Sequence, residues 1–185
     1  MSILPVYLYG TDVLRRKARP VHQVTDDIVQ LVMDMFETMR DANGIGLAAT
    51  QVGNMYRVIV VDISDTEENQ DIKPIAFINP EVISQDGRTT MEEGCLSIPD
   101  VRNEVERAER ITVRYRDTNF RSVKLDADGL LARVILHEID HLNGVLFLDY
   151  LPPAKRKVHK EALKQMQRGE AEVAYPVVTA APVTS

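Results

Sequence analysis

The chain has 185 residues, enough for one domain with a sizeable core. A net charge of −6 and a pI near 5.3 exclude a basic nucleic-acid footprint over the whole chain. A single cysteine, Cys95, excludes an intrachain disulfide framework and fits a reducing compartment. No apolar run reaches bilayer-spanning length, and MSILPVYLYGTDVLRR lacks the basic, apolar and cleavage regions of a signal peptide. The expectation is a soluble cytoplasmic protein without a membrane or disulfide partner.

The first clear element is a helix from about Thr25 to Ala42. Thr25 suits an N-cap, and Asp26 and Asp27 match the positive end of the helix dipole. Ile28, Leu31, Val32, Met35, Phe36 and Met39 recur at the spacing of one buried stripe. Asn43-Gly44 stops this helix. GIGLAATQVGN follows, glycine-punctuated and too small to be a core element by itself. YRVIVVDI, from Tyr56 to Ile63, reads as a buried strand rich in β-branched residues. SDTEENQDIK reads as a solvated loop, and PIAFINPEVIS as a strand broken by Pro80.

Beyond MEEGCLSIPDVRNEVERAER, the runs Arg110 to Arg116 and Phe120 to Leu125 flank Asp117-Thr118-Asn119 as a hairpin. DADG then caps a helix from about Gly129 to Leu142, which Asn143-Gly144 closes. After Pro152-Pro153, a last basic helix runs from about Ala154 to Arg168. The remainder, 169–185, is unpatterned and expected to be mobile. Strands in the middle and helices at both ends predict an α+β domain over 1–168, with mostly antiparallel sheets around the helix at 129–142.

That helix contains LHEIDHLNG. His137 and His141 lie one turn apart on one face, where two imidazoles can hold one metal ion, and Glu138 beside them suits a general base. A catalytic divalent site usually has three protein ligands and an open position for water, so a third ligand is needed. Phe147 stands where the metzincin pattern has its third histidine, and phenylalanine binds no metal. Glu161 falls at a spacing that a thermolysin-like endopeptidase would use, but it sits among lysines as a surface glutamate does. Cys95 in EGCLSIP is the other candidate: a thiolate ligates zinc or iron well, and Gly94 beside it permits close backbone approach. The pair of features favours a Cys-His-His site, with the Glu161 site as the alternative.

Three segments resemble the signature motifs of peptide deformylases, in the same order and with similar separations: GIGLAATQVG (Gly44 to Gly53), EGCLS (Glu93 to Ser97) and HEIDH (His137 to His141). The likeness runs to about Tyr150 and includes LYGTDVLRRKARPV and FINPEVI. Leu136 stands where many members carry glutamine, at a position expected to point away from the metal. The resemblance implies a hydrolase that releases formate from the N-terminal formylmethionine of nascent polypeptides. It implies one divalent metal on Cys95, His137 and His141, with Fe(II) the usual ion and zinc, nickel or cobalt as substitutes. Water activated at the metal would be the nucleophile, Glu138 the general base and acid, and Gln51 and the Leu96 N–H the oxyanion donors. Ile45, Gly46 and Gly94 would bond the peptide backbone, and Arg102 would lie near its path. Leu130 and Val134 share the helix face with the histidines and would receive the methionine side chain, with Arg133 bordering them. Asp140 is expected to fix a ligand or a neighbouring arginine. The basic last helix suggests contact with the ribosome.

Overall fold

The computed structural model describes residues 1–180. Residues 181–185, the end of the predicted tail, lie outside the described residues. In chain order the elements are β1 (Val6–Tyr7), α1 (Asp26–Asp41), β2 (Gly46–Ala48), β3 (Val58–Val61), β4 (Ile75–Asp86), β5 (Thr89–Cys95), β6 (Ile98–Arg107), β7 (Arg110–Arg116), β8 (Ser122–Asp128), α2 (Gly129–Leu142), α3 (Pro153–Val158), α4 (Lys160–Gln167) and β9 (Val177–Val178). Short 3₁₀ turns lie at Asp12–Arg15, Ala49–Val52 and Phe147–Tyr150. The main sheet has five antiparallel strands in the order β2-β3-β4-β7-β8. β5 and β6 form a separate antiparallel hairpin, and β1 pairs with β9 in parallel. No described helix is long and apolar enough to cross a membrane.

Strand β3 explains how the layers stack. All four of its residues are buried, because both faces of the sheet are covered. Val58 and Val60 pack with Ile28, Leu31, Val32, Met35 and Met39 of α1, while Ile59 and Val61 pack with the α2 side. The period of two thus sends alternate valines and isoleucines to two different helices. α2 is the central helix: only Gly129, Leu130 and Asp140 along it escape full burial. Leu136 joins its core cluster with Ile135 and Ile139. The helix ends where predicted, with Gly144 in the left-handed region at φ 73°. The Gly144 N–H bonds the His141 carbonyl and the Val145 N–H bonds that of Asp140. A Cβ on Gly144 would lie 2.5 Å from the Arg15 carbonyl oxygen, so two constraints coincide there.

Several elements differ from their sequence reading. β4 is not broken by Pro80. It continues through a bulge at Asn79, which adopts φ 52°. The Asn79 amide bonds both backbone groups of Val21, which holds the bulge while Pro80 has no N–H to lose. MEEGCLSIPDVRNEVERAER, assigned no element, forms most of β5 and β6. GIGLAATQVGN is a core segment after all: Leu47, Ala48, Ala49, Thr50 and Gln51 are buried as β2 and the turn after it. The last basic helix is two, because it turns at His159. α3 buries nothing, whereas α4 buries Leu163 and Met166 against the β5–β6 side. Part of the tail up to Ala180 carries a strand. β9 docks on β1 through Val6 N–H to Pro176 O and Leu8 N–H to Val178 O, both 2.9 Å. A two-residue parallel pairing leaves no periodicity to read in a sequence.

Candidate metal centre

Three ligand atoms converge where α2 passes behind the β5–β6 hairpin. One helical turn brings the Nε2 atoms of His137 and His141 to 3.2 Å of each other. Cys95 Sγ lies 3.2 Å from His141 Nε2, and the three ligand atoms all fall within 4.8 Å of one another. Imidazole bonds of about 2.0–2.1 Å around a tetrahedral ion would separate two nitrogens by roughly 3.4 Å, so the spacing fits one cation. The electrostatics agree. Burial opposes charge on His137, yet Cys95, Glu93 and Glu138 raise its pKa well above the usual value. Burial and the neighbouring His137 push His141 well below it. The two imidazoles are thus driven apart in basicity, and His141 is held neutral, the form in which an imidazole nitrogen can ligate a metal.

Cys95 is delivered by a turn. β5 ends on it, β6 starts at Ile98, and the ladder is irregular between Glu93 and Cys95. The Tyr9 N–H holds Ser97 O at 2.8 Å, and Gln51 Nε2 donates to Ser97 Oγ at 3.1 Å and faces Cys95 Sγ at 3.5 Å. The orientation of the Gln51 amide follows from its other end, where Oε1 accepts the Ala48 N–H at 2.9 Å. Its NH₂ group must then face the cysteine. The next residue, Leu96, has its N–H directly after the ligand in the chain.

Behind His137 stands a carboxylate that the sequence reading did not single out. Glu93 Oε1 accepts from His137 Nδ1 at 2.8 Å, which leaves Nε2 for the cluster. Arg107 grips Glu93 with two bonds, of 2.6 and 3.0 Å, and Arg133 adds one of 2.7 Å. Burial alone would raise the Glu93 pKa, but the bonds from His137 and Arg107 outweigh it and hold the carboxyl at about 2. Asp140 binds Arg107 at 2.7 Å, so it fixes an arginine, as one branch of the expectation had it. Replacing Glu93 with glutamine is expected to weaken metal affinity about 10- to 100-fold. It also strands buried guanidinium charge, at a cost of about 3 kcal/mol or more. Titration with zinc and thermal unfolding check the two effects separately.

Glu138 lies on the other side of His137. Its Oε2 is buried and makes no hydrogen bond among the described residues, and burial pushes its pKa up to about 7. Gly46 allows this arrangement: a Cβ there would sit 2.6 Å from both Glu138 Oε1 and Val134 Cγ1.

These groups open onto a cleft of about 570 Å³. Gln51, Cys95, Leu96, His137 and Glu138 line it, as do Ile45, Gly46, Gly94, Arg102, Leu130 and Val134. His141 closes the back, 1% exposed. Three expectations are adjusted. The Ile45 carbonyl is already bonded to the Asp62 N–H, and alternation along edge strand β2 turns the Gly46 backbone groups outward instead. Arg133 does border the cleft, but its head is tied to Glu93, Val105 O and Thr89 O rather than lying free at the rim. Glu161 is exposed on α4 and belongs to no metal-binding cluster among the described residues, which removes the thermolysin-like alternative. The cleft also has a wall that the sequence did not foretell: Glu172 to Tyr175, from the chain after α4. The Tyr175 hydroxyl donates to Leu96 O at 2.7 Å, and burial pushes its pKa up to about 12, so it stays a donor.

The polypeptide deformylase family profile matches residues 3–157. A peptide deformylase of Salinibacter ruber is 47% identical over 185 residues, covering 96% of this chain and 95% of the relative. The crystal structure of a peptide deformylase from Legionella pneumophila superposes with a TM-score of 0.83 at 39% identity, covering 92% of this chain and 99% of that one. That of Ehrlichia chaffeensis peptide deformylase in complex with actinonin gives 0.83 at 37%, covering 93% and 100%. The family match takes in Cys95, His137 and His141, and the chain belongs to the polypeptide deformylase family, metal-dependent enzymes that remove the formyl group from nascent proteins.

Proposed function

We propose that Cys95, His137 and His141 hold one divalent metal ion, and that the cleft beside them takes the formylated N-terminus of a new polypeptide. One convergence supports the reading: three candidate ligand atoms and Glu138, whose Oε2 is unpartnered among the described residues, meet beside the cleft. When bound, the metal supplies Lewis-acid polarisation of the formyl oxygen and lowers the pKa of water at the site. Glu138 takes a proton from the attacking water as its oxygen joins the formyl carbon. It delivers that proton to the methionine nitrogen as the C–N bond breaks, leaving formate and a free amine. Gln51 Nε2 and the Leu96 N–H donate to the charge developing on the formyl oxygen, each worth about 3 kcal/mol by analogy with other amide hydrolases.

Leu130 and Val134 give the methionine side chain an apolar wall. The Gly46 backbone groups, at the open edge of β2, add the peptide as a further strand, with Gly94 opposite and Arg102 at the rim. By ligand softness alone, a thiolate with two imidazoles leads to zinc. Fe(II) is the ion the family resemblance implies for the cell, and zinc, nickel or cobalt would substitute in a purified sample. The acidic chain with its lone free thiol fits the cytoplasm. The test is formate release by metal-loaded protein from formyl-Met-Ala-Ser against acetyl-Met-Ala-Ser. Formate is expected from the first alone, and Gln51→Ala is expected to lower kcat about 100-fold. A loaded protein that releases none overturns the reading.

Lys155, Arg156, Lys157, Lys160 and Lys164 are exposed on α3 and α4, and Arg168 just after α4, and this supports contact with ribosomal RNA. Because α4 buries Leu163 and Met166, truncation would open the core, and charge reversal is the better probe. Lys155, Lys157, Lys160 and Lys164 changed to glutamate should abolish low-salt co-sedimentation with ribosomes while kcat on a short peptide stays constant. Unchanged co-sedimentation would reject the contact.

A further inference from the structure

The turn that carries the Leu96 N–H is clamped from three parts of the chain. The N-terminal segment holds Ser97 O through the Tyr9 N–H at 2.8 Å, and the turn after β2 holds Ser97 Oγ through Gln51 at 3.1 Å. The segment after α4 holds Leu96 O through the Tyr175 hydroxyl at 2.7 Å. The third clamp is itself anchored. Pro176, the residue after Tyr175, accepts the Val6 N–H, and β9 runs on beside β1. β1 leads in turn to Tyr9. The N-terminal segment and the segment after α4 thus meet each other, and both reach the same turn.

We propose that Tyr175 is a positioning residue for the Leu96 N–H, and that Glu172 to Tyr175 form a working wall of the cleft rather than a spare tail. The proposal rests on the deformylase reading of the site. Cys95 is fixed on one side of the Leu96 N–H by its place in the ligand cluster. The Leu96 carbonyl is fixed on the other side by the phenol. Planar peptide units leave few torsions between those two points, so the direction of the N–H is set before substrate arrives. A donor loosened by loss of the phenol would meet the developing charge less well. The loss would fall on the transition state and leave binding of the ground state nearly untouched.

The test uses the metal-loaded full chain and formyl-Met-Ala-Ser. Tyr175→Phe removes only the hydroxyl. It is expected to lower kcat per bound metal about 2- to 10-fold, the scale of one hydrogen bond, with KM, metal content and thermal midpoint unchanged. Tyr175→Ala, which also opens the wall, is expected to lose at least as much and to raise KM. A Tyr175→Phe enzyme with wild-type turnover per bound metal overturns the proposal. So does a loss that tracks falling metal content or thermal midpoint, because that is the signature of a purely structural role. An active wild type with an unaltered Tyr175→Phe variant refutes this inference alone, whereas a wild type that releases no formate refutes the deformylase reading and this inference with it.

Discussion

Cys95→Ala is expected to lose both the metal and the activity, while Glu161→Ala keeps both. The thiolate supplies one of three converging ligands, and no fourth protein ligand is present in that cluster among the described residues to take its place. Losing a first ligand should weaken metal binding beyond the roughly 10- to 100-fold that outer partners cost. Activity should fall by on the order of 10³-fold or more, because several kcal/mol of charge stabilisation leave with the ion. Glu161 is exposed on α4, so its removal trims a surface carboxylate and little else. Metal content of the two purified variants, measured beside formate release, decides between a cysteine-anchored and a glutamate-anchored site. Metal retained by Cys95→Ala would sink the assignment.

The second large effect is expected from Glu138→Gln: kcat lower by about 10²- to 10⁴-fold with metal content and KM preserved. Glu138 is not one of the converging ligands, so the ion should stay. Its Oε2 is buried without a partner among the described residues, so a neutral amide of the same shape costs the fold little. The combination of an intact site and absent turnover is what separates a proton carrier from a structural carboxylate. Equal loss of kcat and of bound metal in Glu138→Gln would count against the role.

Much of the site was legible in the chain because its chemistry is local. His137 and His141 share a face by helical spacing, Glu138 is adjacent to the first of them, and Leu96 is adjacent to Cys95. The same holds for α1, whose apolar stripe at 28–39 meets the sheet as its periodicity demands, and for the glycine stop at Gly144. Elements without a period were not legible. β5 and β6 pair with each other outside the main sheet, and their buried positions include the charged Glu93 and Arg107, so apolar alternation does not mark them. β9 is two residues long and depends on β1, more than 160 positions earlier.

The sequence by itself determined the candidate ligands, the candidate proton carrier and the central helix, because each depends on residue identity or on spacing within one segment. Only the tertiary structure decided who supports them. Glu93 orients His137, Arg107 and Arg133 neutralise Glu93, and Tyr175 reaches Leu96 from the far end of the chain. These partners are chosen by where the backbone closes in space. A carboxylate in one strand reads the same in sequence whether it meets water or a buried histidine, and folding decides which by removing the water.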